Sequence, residues 1–167
     1  QVAITSTDPG ETGDYIRDMR FYAAQDADLL DAGQIFNPAF LARIEGFRVL
    51  RFMDWGATNN SATDGVEDMR PFDAARQTGE GGASVEMMVA LANQTRADPW
   101  FNIPHLADDA YIRAFATYVR DNLAPGLVAR FEYSNEVWNW GFEQAQWALQ
   151  QAEATWGADA EGGWMQW

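Results

Sequence analysis

Three short runs rich in β-branched and aromatic residues, 48–55 (RVLRFMDW), 98–104 (DPWFNIP) and 127–134 (LVARFEYS), constrain this chain more than any other feature. The first is a compact apolar run, as expected of a strand buried on both faces, the second reads as another short buried strand and the third as a strand. Each is followed by a segment of helical periodicity. Ser84 is placed to cap a helix that carries Val85, Met88, Val89 and Ala92 along one face, at i, i+3, i+4 and i+7. Residues 108–122 predict a second helix with Ile112, Phe115 and Val119 inward, and residues 142–154 a third with Phe142, Ala145, Leu149 and Ala152 inward. Strand and helix alternating three times predict parallel βαβ units with right-handed crossovers.

The rest of the chain is organised around these units. Residues 1–14 read as a loop, and 15–24 (YIRDMRFYAA) as a possible strand. Asn37-Pro38 starts a short helix through Ile44, with proline at the first helical position, where its missing N–H costs nothing. Residues 56–82, rich in Asn, Thr, Asp and Gly, predict a long loop of the kind that is functional or disordered. A chain of 167 residues has room for one domain, which we divide into a lead-in over 1–36 and a catalytic-type domain over 37–167. The chain starts at Gln1 and ends at 162–167 on apolar aromatics, so it is expected to be a portion of a longer protein.

A formal charge of −14 would repel phosphate backbones and anionic lipid, so neither nucleic acid nor a membrane is expected as partner. No apolar run approaches the roughly 18 residues a membrane-spanning helix needs. With no Cys, thiolate nucleophiles, disulfides and zinc-thiolate sites are ruled out. Aromatic residues reach 14%, with eight Trp, a composition suited to a neutral sugar chain.

An open dinucleotide-binding sheet would need a G-x-G-x-x-G turn after a strand, and none is present. In a (β/α)₈ barrel the working residues sit at the carboxyl ends of the strands. Here those ends are Asp54-Trp55, Pro104-His105 and Asn135-Glu136. The segment 132–140 (EYSNEVWNW) resembles the acid/base segment of the clan A glycoside hydrolases, (β/α)₈ enzymes with an Asn-Glu pair at the end of the fourth strand. Many members of that clan carry an Arg on the second strand and a His at the end of the third, and Arg51 and His105 stand in the matching places. The phrases RVLRFMDW, DPWFNIPHLADD and EYSNEVWN also resemble a group of bacterial hydrolase-like proteins related to the clan, over about residues 36–154.

The resemblance implies Glu136 as general acid/base and Asn135 as the neighbour that hydrogen-bonds a sugar 2-hydroxyl. It also implies a partial (β/α)₈ TIM barrel, parallel strands alternating with helices. Clan A enzymes are retaining and take a second Glu, the nucleophile, from the seventh strand. A complete barrel needs about 250 residues, so the likeness is to the N-terminal half only. Retaining hydrolysis needs one carboxylic acid to protonate the leaving oxygen and a carboxylate about 5 to 5.5 Å away to attack the anomeric carbon. The acid must stay protonated near working pH, which apolar walls promote. Val137, Trp138 and Trp140 are the residues placed to form them.

Each of these residues also has a plainer reading. Glu136 can be a surface acid ahead of a helix, where the dipole favours carboxylates. Asn135 can be a turn or capping residue, and His105 a loop histidine. Arg51 in an apolar strand requires a carboxylate partner, with Glu132 and Asp54 as the candidates, and a structural ion pair stands beside substrate contact as its role. Trp55, Trp138 and Trp140 are candidate sugar-stacking platforms or core residues. Asp54, Asp108 and Asp109 lie in no metal-binding motif, so neither a catalytic metal nor a cofactor is expected. Asp64, Glu67 and Asp68 read as a solvated lip, with a loop-held calcium as the other reading.

The function expected is retaining hydrolysis of a neutral β-linked polysaccharide or oligosaccharide by a secreted or periplasmic protein. The remaining half of the barrel or a second copy would be its protein partner. The alternatives are a non-catalytic carbohydrate-binding or scaffold module, or an inactive fragment of the enzyme.

Overall fold

A computed structural model describes residues 3–16 and 22–157. The chain divides into two compact units, Gln1–Pro38 and Ala39–Trp167. In the first, a 3-10 turn (Ala24–Asp26) leads into the short helix α1 (Ala27–Asp31). The strand expected over 15–24 falls largely on residues 17–21, and the aromatic end over 162–167, outside the described residues. Helix α2 (Pro38–Ile44) begins at the proline, as the Asn37-Pro38 pair predicts.

The second unit is mixed α/β. Its three strands, β1 (Val49–Arg51), β2 (Asp98–Ile103) and β3 (Arg130–Tyr133), form one parallel sheet in the order β1-β2-β3. Leu50 pairs with Pro99, Phe101 with Phe131, and Asn102 with Glu132. Helices α3 (Val85–Thr95) and α4 (Asp109–Asn122) supply the crossovers, and α5 (Glu143–Trp156) follows β3. The cap predicted at Ser84 forms, its Oγ accepting the Met87 N–H at 3.2 Å, and Asp108 caps α4 in the same way, its Oδ1 accepting the Tyr111 N–H at 2.7 Å. Each satisfies a donor that the helix itself leaves unpaired.

The sheet has two chemically different faces, because successive residues point to opposite sides. One face is apolar: Phe101 is fully buried, with its ring 5.6 Å from Phe52, 5.4 Å from Phe131 and 5.2 Å from Phe115 of α4. The other carries Arg51, Trp100 and Arg130 in one register row and Asn102 and Glu132 in the row two residues on.

Several expectations are corrected. The run 48–55 is a strand only over Val49–Arg51; after one more ladder bond, Phe52 N–H to Trp100 O at 2.9 Å, the chain curls, with Gly56 N–H reaching Phe52 O at 2.7 Å. The burial on both faces expected of this run fails too, since β1 is half-buried at Val49 and Leu50 and exposed at Arg51, and the other outer strand, β3, leaves Phe131 and Tyr133 48% and 50% exposed; each has a paired neighbour on one side only among the described residues. On α4 Tyr111 takes the buried place predicted for Ile112. On α5 the buried residues are Gln144, Ala145, Ala148 and Ala152, with Phe142 and Leu149 only half-buried, since this helix packs on a polar loop.

That loop, 56–82, is ordered by its own bonds. Its neck is closed by Ala83 N–H to Trp55 O at 2.7 Å and by Gly82, whose φ of +62° and whose approach to Gly56, 2.4 Å from a would-be Cβ to the Gly56 carbonyl carbon, admit only glycine. Trp55 Nε1 donates to Gln77 O at 2.6 Å, and Gln77 Oε1 accepts the Ser84 N–H at 2.8 Å. Arg70 braces the far limb by donating to the carbonyls of Arg76 and Glu80.

Candidate functional site at the strand ends

The carboxyl ends of the strands are knitted together by polar side chains. Arg51 finds Glu132, not Asp54: Nη2 lies 2.7 Å and Nε 3.3 Å from Glu132 Oε2. The same oxygen accepts from Asn102 Nδ2 at 2.8 Å, and that amide also donates to Ser134 O at 2.9 Å. Arg51 Nη2 reaches on to Asn135 Oδ1 at 2.9 Å, so one guanidinium on β1 holds both the end of β3 and the residue beyond it. Its carbon centre lies 5.1 Å from the Trp100 ring centroid, a cation–π contact that fixes the guanidinium from beneath.

From Asn135 the network crosses to the loop and to α5. Asn135 Nδ2 donates to Asn59 Oδ1 at 2.9 Å, which also accepts from Gln144 Nε2 at 2.7 Å. Gln144, fully buried, donates in addition to Asn135 O at 2.8 Å and accepts the Asn60 N–H at 3.1 Å. Phe142 precedes α5 without a side-chain cap bond, and the loop supplies one: Asn60 Oδ1 accepts the Glu143 N–H at 2.8 Å. Asn59, Asn60 and Gln144 were missed as site residues. The signal for Gln144 was a polar side chain on the inward face of an amphipathic helix, which cannot be buried without partners.

The backbone is forced into left-handed conformations around this junction. Ser134 and Glu136, on either side of Asn135, have φ of 60° and 42°, and Ala57 and Asn60 in the loop have 50° and 53°. Non-glycine residues held this way cost of order 1–3 kcal/mol each, sustained by the bonds around them.

The predicted site residues separate into three groups. Arg51 and Asn135 are bonded to each other, and Asn135, 3% exposed, has one amide N–H and one lone pair left for a ligand. Glu136 is exposed and its Oε2 accepts from Asn139 Nδ2 at 3.0 Å in a turn that also presents Trp138 and Trp140, 55% and 48% exposed. The expected apolar walls around Glu136 are therefore open to solvent.

His105 and Trp55 lie elsewhere. His105 is buried at 3% exposure, its ring 5.6 Å from that of Trp147 on α5 and its carbonyl accepting Tyr133 Oη–H at 2.6 Å. Burial pushes its pKa below the usual histidine value, against a smaller opposing pull from Glu143, and Nδ1 has no hydrogen-bond partner. Trp55 is half-buried, its ring 5.9 Å from Phe52, and serves the loop clasp. Among the described residues no three His, Asp or Glu side chains cluster to hold a metal, and no helix is long and apolar enough to cross a membrane. Comparison with protein families, with curated proteins and with solved structures finds no match.

Proposed function

We propose that this chain is part of a retaining glycoside hydrolase acting on a β-linked polysaccharide outside the cytoplasm, with Glu136 as general acid/base. The observation that carries the reading is Glu136 itself: an exposed carboxyl directly after Asn135, at the carboxyl end of a parallel strand, beside two half-exposed tryptophans. Sequential parallel strands joined by α3 and α4 are what successive staves of a (β/α)₈ barrel require. In the first step Glu136 gives its proton to the glycosidic oxygen as a second carboxylate attacks the anomeric carbon and the leaving sugar departs. In the second, Glu136 takes a proton from water, whose oxygen displaces the enzyme carboxylate. Glu132 is held by Arg51 and Asn102, so the second carboxylate comes from outside this three-stranded sheet.

The test is reducing-end release from β-glucans by the full protein and its Glu136→Gln variant. We expect a loss of about 10²- to 10⁴-fold in turnover with glycan binding kept. The half-exposed Trp138 and Trp140 also favour a second reading, a carbohydrate-binding module without hydrolysis. Binding with no turnover in the unsubstituted protein would select that one.

A further inference from the structure

Between the limbs of the 56–82 loop lies a cavity of about 290 Å³ whose polar lining is Asn59, Asn60, Ser61, Thr63, Asp68 and Glu80. We propose that it is a glycan subsite that takes one neutral sugar unit through its hydroxyls and rejects uronic acids. This rests on the carbohydrate reading above and adds a second contact region to it.

Four observations carry the assignment. The volume sits at the small end of the range for small-molecule sites, about 300–1,000 Å³, which suits one sugar unit. The lining offers the mixture of acceptors and donors that vicinal hydroxyls need. Glu80 has no ion-pair partner among the described residues, and only its backbone carbonyl is engaged, by Arg70. Asp68 is held by the Asp64 N–H, given to Oδ2 at 3.0 Å, and by the Gly65 N–H, and so enters the lining as a positioned acceptor. Ser61, 9% exposed, accepts the Thr63 N–H at 3.3 Å and keeps its own hydroxyl proton to give. Asn60 uses its N–H and Oδ1 within the protein, leaving its Nδ2 donors.

The second pair of observations concerns selectivity and position. No Arg or His lines the cavity, and the nearest guanidinium, Arg70 behind Glu80 and Gly81, is already spent on the carbonyls of Arg76 and Glu80, so a sugar carboxylate would face Asp68 and Glu80. Nor is there an aromatic ring in the lining, so recognition is by hydroxyls, in contrast to the tryptophans of the 136–142 turn. The wall residue Asn59 is the same one that receives Asn135 and Gln144, so the cavity shares a rigid member with the Glu136 turn. Ala57 and Asn60, two of the left-handed residues, lie in that wall.

The experiment is titration of ¹⁵N-labelled protein with cellotetraose, xylotetraose and mannotetraose, and separately with trigalacturonate. At least one neutral tetrasaccharide should shift the amides of residues 57–63 and 80–81, and trigalacturonate should not. Glu80→Gln, at a side chain with no protein partner to lose, should weaken that binding about three- to fivefold, and Ala62→Trp, which fills the cavity, should abolish it. Shifts confined to residues 136–140, equal binding of trigalacturonate, indifference to both substitutions, or no binding by any neutral tetrasaccharide would each overturn the assignment. Binding is read without turnover, so failure of Glu136→Gln to affect hydrolysis would remove the catalytic reading and leave this one standing.

Discussion

The two ends of the sheet solve the same problem, joining β2 to β3, in opposite ways. At the amino end Asp98 accepts the Val128 N–H and Arg130 Nη1, each at 2.8 Å, in an ion pair open to solvent. At the carboxyl end Asn102, 7% exposed, joins β2 to β3 by donating to Glu132 Oε2 and Ser134 O, and Asn135 and Gln144, at 3% and 0% exposure, tie the end of β3 to the loop and α5. An exposed charge that loses its partner turns to water, so the amino end tolerates damage. A buried amide that loses its partner has nowhere to turn, so the carboxyl end holds as a set or not at all. Left-handed non-glycine residues flank Asn135 directly at the second join, whereas at the first the left-handed Arg96, two residues before Asp98, is the C-cap of α3.

The sharpest way to break this contrast is Gln144→Ala. It removes three hydrogen bonds to protein groups and leaves a void at a fully buried position, and about 3 kcal/mol of stability should be lost in urea unfolding. A loss under about 1 kcal/mol would mean that the network is ornamental. A smaller effect comes from His105, wedged against Trp147. Its folded pKa is depressed, so the unfolded chain takes up a proton first as pH falls below about 6.5. The stability it contributes should be full above that value and decline as pH drops towards the folded pKa. His105→Gln should flatten the urea midpoint between pH 7.5 and 5.5, and an unchanged slope would show the decline to come from other groups.

The smallest effect belongs to the amino end. The Val128 N–H and then Arg130 hold Asp98 below the ordinary carboxylate value of 3.8, so its contribution is present above that pH and fades as pH falls below it. Asp98→Asn should leave the thermal midpoint nearly unchanged at pH 7 and make it less sensitive between pH 4 and 2.5. A large loss at neutral pH would erase the difference between the two ends.

Local signals made much of the fold legible. Ser84 marks a helix start because a capping residue stands directly ahead of an apolar stripe at helical spacing. The buried stripe of α3 followed from periodicity alone. Arg51 and Glu132 are 81 residues apart, yet their pairing was within reach because a charge in an apolar strand demands a counter-charge. The signal at Gln144 is weaker, because an inward polar side chain demands a partner without naming one, and nothing in the loop announces Asn59, 85 residues away. Resemblance of one segment singles out Glu136, the carboxylate of the proposed chemistry, and says nothing of the amides that set its backbone. The strand lengths were overestimated for a related reason: the aromatic residues 52–55 form the root of a loop, and composition does not distinguish a root from a strand.

The glycine-on-glycine contact at the loop neck has a consequence for how such a protein can change. Gly56 and Gly82 bring the two ends of the segment together, and Gln77 clasps them by bonding to Trp55 and Ser84. Closing a longer span adds only about 0.6 kcal/mol for each doubling of its length. The segment is thus an exchangeable cassette. Residues can be added at its exposed positions at little thermodynamic expense as long as Asn59, Asn60, Arg70 and Gln77 keep their bonds, whereas a single methyl group at the neck would force the cassette off its mount.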